Sequence, residues 1–129
     1  MTLRSSAVRP HKYHAQATIV DNIRFASKAE ARRYGELKLL EKAGEISDLE
    51  LQPRFPLLAA STTGQALKAI DAAVGLRSLV VGEARFDFRY LCPKRGMVVE
   101  DVKGYDNKLS SWKRKHAEIQ YGITVEVIR

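Results

Sequence analysis

Two apolar, strand-like runs in the second half of this 129-residue chain each carry a carboxylate where a packed sheet would take Val or Ile. One is Arg85-Phe86-Asp87-Phe88-Arg89-Tyr90 and the other is Val98-Val99-Glu100-Asp101-Val102-Lys103-Gly104. Burying a charge in a strand costs several kcal/mol unless a partner or a metal compensates. Ala84, Phe86, Phe88 and Tyr90 alternate with Glu83, Arg85, Asp87 and Arg89, which predicts a strand. Pro93-Lys94-Arg95-Gly96 is a turn, and Met97 to Lys103 is the returning strand. With residues 92–96 as the loop, Leu91 faces Met97, Asp87 falls opposite Asp101 and Arg85 falls opposite Lys103. Directly opposed side chains share a face with Cβ atoms about 5 Å apart. Two carboxylates at that separation repel unless a proton or a cation lies between them. Hard oxygen ligands suit Mg²⁺ or Mn²⁺. Lys103 projects to the face of Asp101, while Glu100 and Val102 point the other way and make Glu100 the weaker candidate. A one-residue slip would part the two acids. A solvated face on which Arg85 and Arg89 neutralise them is the competing reading.

The rest of the chain alternates strand and helix signals. Thr18 to Phe25 reads as two short strands joined by an Asp21-Asn22 turn. Ser27-Lys28-Ala29-Glu30 is a capping-box pattern, opening a helix expected to run to about Ala43 and stop at Gly44. Tyr34, Leu37 and Leu40 form its apolar stripe. Glu30 fits two roles: bonding back to the backbone of Ser27, or heading the buried face with a third carboxylate aimed at the sheet. Ile46 to Leu58 reads as extended, with Pro53 and Pro56 placing it at an edge or breaking it. Between Ala59 and Gly82 the pattern offers a short helix or extended insert at Gln65–Val74 and an apolar run at Leu79–Val81. Lys108 to Tyr121 is expected to be a second helix, with Leu109, Trp112, Ala117 and Ile119 as its apolar contacts and Gly122 as its end. Ile123 to Ile128 makes the last strand. The whole predicts an α/β fold, one mixed sheet with helices packed on it.

Charge points to the partner. Twenty-two Lys and Arg against fifteen Asp and Glu leave a net +7 and a pI near 9.7, a balance suited to a polyanion and first of all to nucleic acid. Residues 1–12, with Arg4, Arg9, His11 and Lys12, read as a flexible basic arm, and residues 13–129 as a single domain. No apolar run reaches the roughly 18 residues of a membrane span, and the first residues lack a secretion signal. The lone Cys92 permits no internal disulfide and no multi-cysteine zinc site, so a cytoplasmic location is expected. His11, His14 and His116 have no ligand-like spacing, and Trp112 reads as core before it reads as a base-stacking platform.

Asp87 followed by Asp101-Val102-Lys103, with the helix acid Glu30 upstream, resembles the PD-(D/E)xK nuclease motif. The longer string runs from Phe25-Ala26-Ser27-Lys28-Ala29-Glu30-Ala31-Arg32-Arg33-Tyr34 through Leu51-Gln52-Pro53 to Glu100-Asp101-Val102-Lys103-Gly104. It is similar to a phage-associated family within that superfamily, usually described as resembling Holliday junction resolvases. The likeness covers roughly residues 13–58 and 83–128. It implies a restriction-endonuclease-like mixed β-sheet flanked by helices and metal-dependent hydrolysis of DNA phosphodiesters. Carried onto this sequence, Asp87, Asp101 and Glu30 would bind Mg²⁺, with Mn²⁺ able to substitute, and Lys103 would activate or position the attacking water. Phe86 stands where the motif has proline. Gln52 either borders the site or satisfies a strand edge. Lys113, Arg114 and Lys115, with Arg9 and Lys12, would hold the DNA backbone, or their face is merely solvated. The implied substrate is branched or junction DNA, cut by a homodimer, in the host-cell cytoplasm if the chain is phage-encoded. A less selective phage nuclease and a non-catalytic DNA-binding module on the same fold are the alternatives.

Overall fold

The computed structural model describes residues 16–59 and 80–129. Strands β1 (Thr18–Val20) and β2 (Ile23–Phe25) form a hairpin whose turn residues Asp21 and Asn22 have φ of 51° and 61°. A two-residue hairpin turn requires positive φ at both positions, and Asp and Asn tolerate it well. Helix α1 (Lys28–Lys42) starts at Ser27, whose hydroxyl accepts the Glu30 N–H at 3.1 Å, and is followed by Gly44 at φ 76°. Next come β3 (Ser47–Leu51), β4 (Arg54–Leu58), β5 (Val80–Arg85), β6 (Phe88–Cys92) and β7 (Gly96–Val102). Helix α2 (Lys108–Tyr121) and β8 (Val125–Ile128) complete the chain. The main sheet has the order β3-β6-β7-β8, antiparallel except for the parallel β7–β8 pair. That parallel pair needs a crossover, and α2 supplies it. The fold is mixed α/β, as the pattern predicts.

One feature departs from the expected strands. Ala84 to Tyr90 reads as one strand in the sequence, yet it breaks between Arg85 and Phe88, and Ile46–Leu58 breaks at the same level. Leu51 pairs with Phe88 and Arg54 with Arg85, so β3–β4 and β5–β6 are two long strands in a single register, both bent at one place. Hydrogen bonds carry through the bend: Gln52 N–H donates to the Asp87 carbonyl at 2.9 Å and Phe86 N–H to the Pro53 carbonyl at 3.2 Å. Gln52 takes φ 52°, and Pro53 is fully buried beside it. The bend also switches faces. Phe86 joins a core of Phe55, Leu57, Ala84, Val99, Ala117 and Val125, whereas Phe88 joins Phe25, Tyr34, Leu37, Tyr90 and Val98. In a straight strand residues two apart would share a face.

Helix α1 is tied to the sheet by a buried ion pair. Arg33 Nε donates to Glu100 Oε2 at 2.8 Å and Nη2 to Oε1 at 2.6 Å, and the Tyr90 hydroxyl donates to Oε1 at 2.6 Å. Burial, then the hydrogen bond to Glu100 and its charge, push the Tyr90 hydroxyl up to about 12.

Helix α2 packs otherwise than its apolar residues suggest. Leu109, Trp112 and Ile119 are 58%, 71% and 75% exposed, and the residue that meets the core is Ala117. Small Ala117 lets the helix lie close to the sheet, which turns the larger apolar side chains outward. Polar side chains anchor the helix to β4 instead. Gln120 Oε1 accepts the Leu58 N–H at 2.9 Å, Gln120 Nε2 and the Tyr121 hydroxyl donate to the Pro56 carbonyl at 2.9 and 2.6 Å, and His116 Nε2 lies 2.9 Å from the Leu58 carbonyl. They cover the edge of β4 that faces away from β5. The expected arm at 1–12, the insert at Gln65–Val74 and Leu79 lie outside the described residues. No helix among the described residues is long and apolar enough to cross a membrane.

Removing one partner of a buried pair leaves an uncompensated charge. Arg33→Ala is therefore expected to lower stability by roughly 3 kcal/mol in urea unfolding, and Arg33→Met with Glu100→Leu to recover most of it.

Candidate active site

The β6–β7 hairpin has the register that the loop arithmetic predicts, with Leu91 opposite Met97 and Phe88 opposite Glu100. Asp87 lies one residue outside that ladder, in the bend. Its N–H donates to the Glu100 carbonyl at 3.0 Å, and its Oδ2 accepts the Val102 N–H at 2.7 Å. The acid thus satisfies a backbone group at the end of β7 while staying beside Asp101. Asp101 is 4% exposed, and the ammonium of Lys103 stands 3.2 Å from its Oδ2. Lys103 follows the last residue of β7, and its N–H donates to the Ile128 carbonyl at 2.9 Å, fixing its backbone against β8.

Glu30 is 5% exposed, and its carboxyl turns to Ala26 and Asp87 rather than back to the Ser27 backbone. Its N–H is capped by Ser27, while its carboxyl is within hydrogen-bonding reach of the Ala26 backbone and of the Asp87 carboxyl. The first turn of α1 therefore delivers the third acid to the end of the sheet where Asp87 and Asp101 sit. Glu100 points to the opposite face and is consumed by Arg33 and Tyr90.

These groups line one open cleft of about 610 Å³, with Glu30, Gln52, Arg85, Asp87, Asp101 and Lys103 on its walls. Gln52 borders it because of the bend. Arg85 was expected to pair with Lys103; it pairs with Arg54, yet it reaches the same cleft from the end of β5. The sequence pattern offers Arg85 as a partner facing Lys103 and as a neutraliser of the acids, not as a wall of the site. Its place two residues before Asp87 was the available signal, and the bend is what makes that signal hard to read. A neighbouring hollow of about 310 Å³ is shared by Arg85, Asp101, Lys103, Ser110 and Lys113, so Lys113 flanks the acids. Ser110 was not anticipated at all.

The remaining basic candidates disperse. Arg114 Nη2 donates to Asp106 Oδ2 at 2.6 Å, and this bond raises the guanidinium pKa and lowers that of the Asp106 carboxyl. Its charge is committed within the fold. Lys115 is exposed beside Trp112 on another face of α2, and Arg9 and Lys12 lie outside the described residues.

Burial, and then the charges of Glu30 and Asp101, push the Asp87 carboxyl up to about 7, although the Val102 N–H works in the other direction. Burial first, and Asp101 after it, also raise Glu30. Three acids share the cleft with Lys103 and Arg85, one cation too few. Among the described residues no three His, Cys, Asp or Glu side chains are drawn tightly enough to form a closed metal-binding group. The donor set is nonetheless hard oxygen under mutual repulsion, and its chemistry fits a hard divalent cation better than any other counter-charge. Without a cation, protonation of Asp87 relieves part of that repulsion as pH falls through about 7.

Asp87 binds its proton more tightly folded than unfolded. Its contribution to stability is full below about pH 4 and lost as pH rises through about 7. Asp87→Asn keeps an oxygen for the Val102 N–H. In chelator it is expected to gain roughly 1–2 kcal/mol over wild type at about pH 8 and little at about pH 4, measured by urea unfolding. Equal stabilities at the higher pH would contradict the crowding.

Residues 10–127 match the model of one family, described as a protein of unknown function (DUF1064). No curated protein and no solved structure matches the chain.

Proposed function

The chain belongs to the DUF1064 family, and we propose that it is a metal-dependent DNA endonuclease on a restriction-endonuclease-like sheet. The observation that carries this reading is the convergence of Glu30, Asp87, Asp101 and Lys103 on one open cleft. Glu30, Asp87 and Asp101 would hold Mg²⁺ or Mn²⁺. When bound, the ion supplies positive charge at the scissile phosphate and lowers the pKa of a water. Lys103 is held at Asp101, where its ammonium orients the attacking water and meets negative charge growing on the phosphoryl oxygens. Arg85 and Lys113 stand at the rim and neutralise the flanking phosphates. Gln52 lines the cleft from the bend and donates to or accepts from the substrate there.

The net charge of +7 supports a polyanionic substrate. The resemblance of the motif string to Holliday junction resolvase-like phage proteins supports branched DNA, a role in phage recombination or processing, and action in the host cytoplasm. Symmetric cutting of two strands calls for a two-fold homodimer.

The test compares a four-way junction, a duplex and a single strand, each with Mg²⁺ and with Ca²⁺. The expected result is Mg²⁺-dependent cutting of the junction, reduced at least about 100-fold in Lys103→Ala and Asp87→Asn while junction binding persists. Tight binding with no cleavage in Mg²⁺ or Mn²⁺ would instead identify a binding module. Equal cutting of all substrates would leave a nuclease without junction selectivity.

A further inference from the structure

Trp112 is the chain's single tryptophan, and it stands 71% exposed on the side of α2 turned away from Ala117. The indole borders two hollows. One, of about 390 Å³, is lined by Leu58, Trp112, Lys115, His116, Ile119 and Gln120. The other, of about 470 Å³, lies toward the start of the helix and includes Lys108, Ser111, Trp112 and Lys115. Lys115 lines both and Lys108 the second, so a flat aromatic surface has two cations beside it. The helix beneath is held by the hydrogen bonds of His116, Gln120 and Tyr121 to β4, which present the indole on a firm base.

Charge decides what such a face receives. Lys108 and Lys115 are exposed here, Asp106 is neutralised by Arg114, and Glu118 turns inward to accept the Val125 N–H at 3.3 Å. A second copy presenting the same face would set lysine against lysine. An anionic partner with a flat apolar element satisfies both the indole and the lysines, and a nucleotide strand has both. Duplex DNA hides its base faces, so the element that fits is an unpaired base.

We propose that Trp112, with Lys108 and Lys115, is a stacking site for an unpaired nucleotide of DNA. Ser110 and Lys113, on the opposite side of the same helix, border the hollow beside Asp101 and Lys103. A strand crossing α2 is therefore held by a base on one side and by phosphates on the other. This deepens the endonuclease reading, on which it rests for the identity of the ligand: base pairs flanking a branch point open at lower cost than those inside a continuous duplex, and an opened base is what the indole takes.

The experiment titrates the full-length protein with an oligo(dT) of about 20 nucleotides in chelator, following tryptophan emission, which reports Trp112 alone. Quenching by about a third or more is expected, weakened by added salt and much smaller for a blunt duplex of equal length. In anisotropy titrations of labelled oligo(dT), Trp112→Ala is expected to lose about tenfold in affinity, Trp112→Phe to keep most of it, and Lys115→Glu to lose affinity and flatten the salt dependence. Thermal melts show that the variants fold. Oligo(dT) binding with unchanged emission, or equal binding by Trp112→Ala, overturns the proposal. So does a concentration-dependent dimer dissolved by Trp112→Ala, which would make the face a self-interface. Chelator prevents turnover, so quenching without any cleavage in Mg²⁺ would support this site while sinking the nuclease. Cleavage with no response from Trp112 would do the reverse.

Discussion

The fold turns on the shared bend at Gln52-Pro53 and Phe86-Asp87. Two neighbouring strands change direction together and keep one register, so hydrogen bonds from Gln52, Phe86 and Asp87 carry the pairing through the break. The bend divides the apolar side chains between two cores and lets helices pack on both sides of the molecule. It also places an acid at the crossover, where neither core has to absorb it. Asp87 is tolerated because it lies where the ladder opens, with the Val102 N–H as its partner.

The acidic cleft follows from that geometry. Asp101 comes from the end of β7, Asp87 from the bend, and Glu30 from the first turn of α1, which the Arg33–Glu100 pair holds against the sheet. Two adjacent residues of β7 thus serve opposite ends. Glu100 is neutralised by an internal arginine and ties down a helix, while Asp101 faces an open cleft with Lys103 beside it. The same strand alternation that separates them also separates their chemistry. An acid with its own arginine needs nothing further, whereas three acids with only Lys103 and Arg85 beside them are short of positive charge.

Much of this was legible in the chain. The cap at Ser27, the helix stop at Gly44, the Asp21-Asn22 turn and the β6–β7 register follow from local rules, because each depends on residues close in sequence. The register placed Asp87 beside Asp101 before any tertiary information was needed. Two things escaped. The Phe86–Phe88 alternation looks like one face, and only pairing with Gln52-Pro53 shows that a bend divides it. In α2, Leu109, Trp112 and Ile119 read as core residues, but the helix rests on Ala117 and on polar contacts to β4, so the larger side chains face outward.

The pair of acid-bearing runs determined by itself a hairpin, and, with residues 92–96 as its loop, strand alternation sets two carboxylates and a lysine on one face. Whether Glu30 was a cap or a third acid, whether Arg85 reached the site, and which side of α2 met the core were decided only by tertiary structure. Those questions depend on how elements distant in sequence pack, and periodicity within one element cannot say which of its faces another will cover.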